Sequence, residues 1–188
     1  MTSAYLKLSL GSLLLLAGCA STTPQPKLNQ LHNEVGKLTQ EMRQLTNQAA
    51  ALEQQGNLNS RSAQGAWLLP AANTGVILKS QAGELKLSLS HVQAEANGTR
   101  AILHIRATGD APLPAFTAQV EWGELDSATS KPLTVNSQVQ RIEVTRALLA
   151  KSEATVPLRL SNLPPEQLGY VRVHDVVLST EQPAAITP

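Results

Sequence analysis

The spacing of apolar residues in this 188-residue chain changes once, close to residue 60. Between residues 28 and 52 apolar side chains recur at alternating steps of three and four, which places them on one face of an α-helix. From Trp67 onward they recur at every second position, which places them on one face of a β-strand. Because one segment cannot satisfy both periods, the chain must fold as a helix followed by a separate β domain.

The helical segment keeps its heptad repeat without a break and carries leucine at every d position. We predict a coiled-coil-like helix over residues 28–56, ended by the C-cap signal Gly56-Asn57. At about 1.5 Å per residue, this arm is roughly 40 Å long. Its apolar face, named here the leucine stripe, consists of Leu28, Leu31, Val35, Leu38, Met42, Leu45, Ala49 and Leu52.

The leucine stripe predicts a contact surface without choosing its occupant. Three outcomes fit the pattern: a weak homo-oligomer, packing on the chain's own β domain or on another envelope protein, and a solitary helix. No opposite-charge pair can be drawn among the flanking e and g residues, which are His32, Glu34, Thr39, Glu41, Thr46 and Gln48. Gly36 costs the helix about 1 kcal/mol relative to alanine, so self-association should be weak. Molecules confined to one membrane surface would still meet at high effective concentration.

Residues 67–181 form the predicted β domain, with seven short strands. The strands follow strong alternation at 85–89, 101–107, 116–122 and 154–160, and weaker runs at 76–79, 133–144 and 170–178. Glycine- and proline-containing turn signals separate these runs. The expected fold is therefore mainly β, an antiparallel immunoglobulin-like β-sandwich preceded by the long helix.

Three shorter segments complete the predicted organisation. Residues 57–66 are polar and contain glycine, which indicates a hinge between helix and sandwich. Residues 146–151 are interpreted as a helical turn between strands. Residues 182–188 are expected to be a disordered tail.

The N-terminus has the pattern of a secretory signal peptide over residues 1–18, with Lys7 followed by an apolar run. That run is shorter than the about 20 residues that a membrane-spanning helix needs. The sequence Leu16-Ala17-Gly18-Cys19 contains the only cysteine of the chain. It resembles the lipobox of bacterial lipoproteins, and the alternative is an ordinary cleaved signal with an incidental cysteine.

The lipobox resemblance implies that Cys19 receives a diacylglyceryl group, that the signal is cleaved before it, and that the new amine is acylated, for instance with palmitate. Two or more acyl chains hold a protein stably on a membrane. Residues 19–27 would then be a lipidated, extended tether. In lipoproteins of enteric bacteria an aspartate after the cysteine resembles an inner-membrane retention signal. Because Ala20 follows Cys19, the resemblance implies a lipid anchor in the periplasmic leaflet of the outer membrane.

Several motifs of the mature chain resemble the YajI-like lipoproteins of enteric and related bacteria. They are the lipobox, the Gln-rich heptad arm, Ala66-Trp67-Leu68-Leu69-Pro70, Pro112-Leu113-Pro114-Ala115-Phe116 and Val120-Glu121-Trp122-Gly123. These motifs are structural, and the resemblance carries over no catalytic residue. The arm also resembles that of the major outer-membrane lipoprotein, which is attached to peptidoglycan through a terminal lysine. Since this chain ends in Pro188, we expect no covalent attachment of that kind.

Composition and motifs argue against several functional classes. A formal net charge of +1 and an aromatic content of 3% do not suit a nucleic-acid-binding surface. A single cysteine cannot form an internal disulfide. The sequence lacks a G-x-S-x-G elbow, an H-E-x-x-H helix and a glycine-rich phosphate loop. We therefore predict no catalytic residues, no cofactor and no metal.

Two pairs of polar residues are candidates for a functional site. His174 and Asp175 are neighbours in a predicted strand, where consecutive side chains point to opposite faces, so they should not form a dyad. Glu121 and Glu124 flank an aromatic residue and could line a sugar cleft. Such acids more often belong to the solvent-facing end of a strand, and nothing indicates a glycosidase pair.

His91 and His104 flank the turn Asn97-Gly98, and their relation depends on its length. A two-residue loop would set them opposite one another, an arrangement compatible with two metal ligands. A three-residue loop, residues 96–98, would pair Leu89 with Ile105 and His91 with Leu103. We predict the longer loop because it keeps the apolar side chains on one face.

Together these features predict a non-enzymatic outer-membrane lipoprotein that presents a periplasmic β-sandwich as an interaction or envelope-support module. The alternative is a periplasmic ligand-binding or hydrolytic accessory domain, acting on a cell-wall or lipid ligand between the sheets. A concave pocket with convergent polar groups would favour that alternative.

Overall fold

The computed structural model describes residues 25–179 of the chain. Within that range a helix, α1, spans Gln25–Ser60 and is followed by strands. The strands are β1 (Gly65–Leu68), β2 (Val76–Ser80), β3 (Gly83–Glu95), β4 (Gly98–Ala107), β5 (Phe116–Gly123), β6 (Gln138–Val144), β7 (Glu153–Ser161) and β8 (Tyr170–Leu178). A short 3-10 turn, Pro70–Ala72, joins β1 to β2.

The strands form two four-stranded antiparallel sheets, in the orders β1-β8-β5-β6 and β2-β3-β4-β7. The predicted mainly β, immunoglobulin-like sandwich preceded by a long helix is therefore confirmed. Alternate side chains of each strand enter the core, among them Leu85 and Leu87 from β3 and Val120 and Trp122 from β5. The buried indole of Trp122 donates its N–H to the carbonyl oxygen of Ser161 at 3.2 Å. The core is thus filled by apolar side chains, with its one indole donor satisfied.

The chain divides into two compact units, and the boundary falls within α1, after Gln40. The helix is longer than the predicted span 28–56 at both ends. It begins within the predicted tether, because a proline such as Pro26 is tolerated in a first helical turn, whose N–H groups lack intrahelical partners. It also continues one turn past Gly56, where contacts with β1 override a weak end signal.

The β domain has eight strands in the structure, where the sequence predicted seven. The additional strand is β1, a four-residue edge strand whose brevity gave almost no periodic signal. The predicted run 133–144 is a strand only from Gln138. The predicted helical turn at 146–151 is wrong, because the Leu148 backbone forms two 2.8 Å hydrogen bonds with Leu113 instead.

The register predicted for the hairpin of β3 and β4 is also wrong. Leu89 lies opposite Leu103, not Ile105, and Glu95 pairs with Gly98 across the turn. Two features cause the difference. The turn has two residues, Ala96 and Asn97, where three were predicted. In addition, a β-bulge places His91 and Val92 of β3 between the pairs Ser90–Ile102 and Gln93–Arg100. The bulge absorbs one extra residue, so apolar side chains stay inside although the pairing has shifted.

Candidate functional site

The leucine stripe is exposed along α1. All eight of its residues are exposed, and the seven large ones have between 49% and 65% of their surface accessible. This holds for the four within residues 25–40 and for the four within residues 41–60. A row of large apolar side chains left in water marks a surface that gains free energy when covered.

The polar residues beside the stripe bond back to its own backbone. The e-position side chains His32, Thr39 and Thr46 bond to carbonyl oxygens four residues earlier, at Leu28, Val35 and Met42, over 3.2, 2.8 and 2.9 Å. These groups already have partners along the helix. A partner that covers the stripe would therefore leave these side chains hydrogen-bonded.

A different face of α1 packs on the sandwich within the second unit. Ala51 and Leu58 contact a buried apolar cluster formed by Leu69, Ala72 and Tyr170. Leu52, on the stripe, is not part of this contact and is 49% exposed. Within residues 41–60, the stripe therefore does not pack on the chain's own β domain, in contrast to that alternative.

Two side-chain amides of α1 hydrogen-bond the backbone of the edge strand β1 and the residue after it. Asn59 donates to the carbonyl oxygen of Trp67 at 2.8 Å and accepts from its N–H at 2.9 Å. Gln55, which is 2% exposed, accepts the N–H of Leu69 at 2.8 Å. The helix therefore covers a strand edge that would otherwise present free backbone groups. This contact differs from the predicted hinge over residues 57–66, because the last helical turn is fixed to β1.

A buried polar network lies on the outer face of the β1-containing sheet. Glu121 is 8% exposed and accepts the Tyr170 hydroxyl at 3.0 Å. Arg172 lies 3.5 Å from the same carboxylate and stacks over Trp67 at 4.8 Å from its ring centroid. Burial and the neighbouring Glu121 carboxylate raise the pKa of Tyr170 well above its ordinary value. Glu121 is thus engaged by Tyr170 and Arg172, whereas the buried Arg172 Nε and the nearby His174 Nε2 have no hydrogen-bond partner among the described residues. Glu124 is exposed, so the two acids do not form a glycosidase pair.

His174 and Asp175 are brought together, contrary to the prediction that they face apart. His174 Nδ1 lies 3.0 Å from Asp175 Oδ2. The cause is a second bulge, at Asp175 and Val176, where Asp175 adopts a left-handed φ of +50°. Alternation fails at such a residue because its side chain no longer follows the pleat.

The first bulge likewise gathers side chains that the sequence did not connect. Ser90 Oγ lies 2.7 Å from His104 Nε2 and 2.8 Å from His91 Nδ1. The other nitrogen of His104, Nδ1, lies 2.6 Å from Glu153 Oε1. Sequence reasoning considered the two histidines but missed Ser90 and Glu153. Strand alternation on β7 could have placed Glu153 on the outer face, but only the correct register brings it to His104.

Neither a metal-binding cluster nor a membrane-spanning helix is found among residues 25–179. Among the side chains described, no three of the types His, Cys, Asp and Glu gather in a way that could hold a metal ion. Within residues 25–179 no helix combines the length and apolar character needed to cross a bilayer. The lipobox residues Leu16 to Cys19, the rest of the signal segment and the predicted tail from residue 182 lie outside the described residues.

Comparison with known proteins places the chain among lipoproteins. A family model described as a protein of unknown function (DUF3251) matches residues 19–185. The uncharacterized lipoprotein YajI of Escherichia coli (strain K12) is 37% identical over 175 residues, which cover 93% of this chain and 96% of that protein.

Two solved structures are similar to this one. The solution NMR structure of Escherichia coli YajI has a TM-score of 0.65 and 35% identity, over 75% of this chain and 85% of that one. The Salmonella enterica trimeric lipoprotein SadB has a TM-score of 0.54 and 17% identity, over 82% and 83% of the two chains, and this likeness shows the fold alone. The resemblance predicted from the sequence motifs is confirmed: this chain belongs to the DUF3251 family and is one of its YajI-like lipoproteins.

Proposed function

We propose that this protein is a lipid-anchored envelope lipoprotein that self-associates through the leucine stripe and so presents its β-sandwich as an interaction or envelope-support module. The main observation in support is that residues 41–60 of α1 present two different faces. One face is bonded to the sandwich through Gln55 and Asn59, while Leu45 and Leu52 on the stripe are left exposed. This part of the helix is thus held in place without using the leucine stripe.

The anchor in this proposal is acylated Cys19. The lipobox supports it, as does the description of the 37% identical relative as a lipoprotein. Because Ala20 does not provide the aspartate of an inner-membrane retention signal, we place the anchor in the periplasmic leaflet of the outer membrane. Two or more acyl chains would make the attachment stable.

A second copy of the chain is the occupant that suits the stripe best. Every copy carries the same heptad repeat in the same register, so a seam of a and d side chains can interdigitate with its own image. The e-position polar groups beside it are satisfied within each helix. Gly36 weakens the helix and Ala49 leaves a thin place in the seam, so association should depend on confinement to the membrane. SadB is described as trimeric. A test of self-association for this chain should therefore distinguish a dimer from a trimer.

Cysteine crosslinking in intact membranes tests the proposal. Leu45→Cys on the stripe should crosslink efficiently to its copy, whereas Asn47→Cys, two residues further and at the f position, should crosslink much less. Leu38→Cys and Gln40→Cys form a second matched pair earlier on the helix. In the lipidated protein the native Cys19 is blocked, so each variant has one free thiol.

Equal crosslinking at stripe and control positions would rule out the seam. The dependence on confinement has its own test, since a soluble Cys19→Ala chain should be largely monomeric at micromolar concentration. A stable soluble oligomer would contradict that dependence. Sedimentation of the native detergent-solubilised protein would distinguish two copies from three.

A further inference from the structure

Three strands of the second sheet place Ser90, His104 and Glu153 next to one another on its outer face. Ser90 comes from β3, His104 from the central strand β4, and Glu153 from β7. The two contacts of His104 measure 2.7 Å to the serine and 2.6 Å to the glutamate. Both lie within the range in which a nucleophile, a base and an orienting carboxylate act together.

The chemistry of the groups fixes the direction of each hydrogen bond. An ionised Glu153 can only accept, so His104 donates its Nδ1–H to Oε1. In the neutral imidazole, Nε2 is then the unprotonated nitrogen, and it accepts a hydrogen bond from the Ser90 hydroxyl. This is the tautomer that a general base beside a serine needs.

His91 completes the cluster through the bulge. Its backbone has a left-handed φ of +52°, a conformation that costs free energy for any residue other than glycine. Its Nδ1 lies 2.8 Å from Ser90 Oγ, and because the serine proton is directed to His104, His91 is the donor in this contact. Bulges beside active sites often serve to redirect one side chain, and here the bulge brings His91 to the serine oxygen.

A small cavity adjoins the serine. It has a volume of about 190 Å³, and its lining includes Ser90, His91 and the apolar residues Leu68, Leu69, Leu89 and Val92. At roughly 30 Å³ for each water molecule, that volume corresponds to about six non-hydrogen atoms. The cavity beside Ser90 therefore has room for a short acyl group.

We propose that Ser90, His104, Glu153 and His91 form a nucleophilic site that hydrolyses short-chain carboxylic esters. Ser90 Oγ attacks the carbonyl carbon, its proton passes to His104 Nε2, and the π electrons move to the carbonyl oxygen, to which the His91 N–H donates. Collapse of this intermediate breaks the ester C–O bond, and the alcohol leaves with the proton from His104. A water molecule then attacks the acyl-serine, again giving a proton to His104, and Ser90 regains that proton as the carboxylic acid departs. Glu153 is a positioning residue that stabilises the imidazolium form of His104.

This inference does not rest on the proposed self-association, and its test is separate. The purified full chain is treated with a fluorophosphonate, and the labelled residue is identified by mass spectrometry. Turnover is measured with p-nitrophenyl acetate and with a long-chain ester. We expect labelling at Ser90, and turnover of the acetate but not of the long ester.

Variants then separate catalysis from structure. Ser90→Ala should abolish labelling, and His104→Gln should lower turnover at least about a hundredfold. Glu153→Gln should lower kcat with little change in KM, because the carboxylate orients His104 at 2.6 Å and does not touch the substrate. The matched control is Ser88→Ala, two residues earlier on the same face and opposite His104, which should stay within about twofold because no Ser88 contact takes part in the mechanism.

Labelling of the unaltered protein decides the question even if Ser90→Ala fails to fold. Absence of label at Ser90, under conditions where a known serine esterase is fully labelled, would overturn the proposal. So would equal loss of turnover in Ser88→Ala and Ser90→Ala.

Discussion

Tyr170 combines a fully buried phenol ring with a hydroxyl that has a single acidic partner. The residue is 0% exposed, its ring lies 5.1 Å from that of Trp67, and its O–H donates to Glu121 at 3.0 Å. A buried carboxylate is stabilised by such donors, while a second negative charge beside it would be strongly unfavourable. The proton on Tyr170 is therefore part of what joins β8 to β5 on the outer face of the sheet.

This arrangement predicts a loss of stability at alkaline pH. The folded state raises the Tyr170 pKa above its ordinary value of 10.0, first through burial and then through Glu121, so the unfolded chain releases this proton at a lower pH than the folded one. Its contribution is complete below pH 10 and should fall above it, by up to about 1.4 kcal/mol per pH unit. Urea unfolding of a chain lacking the signal segment, in which Tyr170 is the only tyrosine, measures this slope.

The matched variant is Tyr170→Phe. It should lower the free energy of unfolding near neutral pH by about 1 kcal/mol, because Glu121 loses a donor. It should also remove the extra alkaline slope. If variant and parent show the same slope above pH 10, ionisation of Tyr170 does not govern the alkaline loss.

Two residues with left-handed backbones explain most of what the sequence could not predict about side-chain placement. Alternation correctly predicted the core positions of β3 and β4, because burial selects apolar side chains at every second position. At His91 and Asp175 the backbone leaves the pleat, with φ near +50° in both. Neither residue is a glycine, so the local sequence gives no signal for a bulge. The predicted side-chain placements of the pairs His91–His104 and His174–Asp175 are therefore both wrong.

At the scale of the element, α1 has two faces with different contacts: the leucine stripe and the face that packs on the sandwich. The heptad pattern predicted only the stripe. The stripe was predictable because it is apolar and periodic. The face that contacts the sandwich includes Gln48, Gln55 and Asn59, polar residues whose role depends on the backbone of β1 and the turn after it. A four-residue strand carries too little periodicity to be detected. The bounds of both elements were therefore the least predictable part of the fold.

The contact of Gln55 with Leu69 gives a direct test of this second face. Gln55→Ala would leave the buried N–H of Leu69 without an acceptor, and we expect the free energy of unfolding to fall by about 1–3 kcal/mol. Hydrogen exchange of the Leu69 amide should accelerate in parallel. Glu53→Ala, an exposed change two residues away on the same helix, is the control and should alter stability by less than about 0.5 kcal/mol. A loss no larger than the control's would show that α1 is not held by this bond.

At the scale of the whole molecule, the sandwich and the leucine stripe place different demands on the chain. The sandwich has its own core, and one face of α1 covers its β1 edge and the cluster around Tyr170. The stripe has no such partner in the described residues and gains stability only when a second surface covers it. A protein built in this way is expected to fold alone and to associate only where its copies are concentrated. Lipid attachment would supply that condition.

The location of the protein should therefore depend on residues 19 and 20. Cys19→Ala removes the thiol that accepts the lipid, so the variant should be found as a soluble or uncleaved protein, and stripe crosslinking through Leu45→Cys should fall with it. Fractionation of envelopes, with a salt wash to remove weakly bound protein, measures the first effect. If Cys19→Ala is still processed and still sediments with outer membranes, the lipoprotein anchor is wrong.

Ala20→Asp tests the choice of membrane separately, since it creates the retention signal while leaving the lipid in place. That variant should move toward the inner membrane, and unchanged fractionation would remove the argument for the outer one.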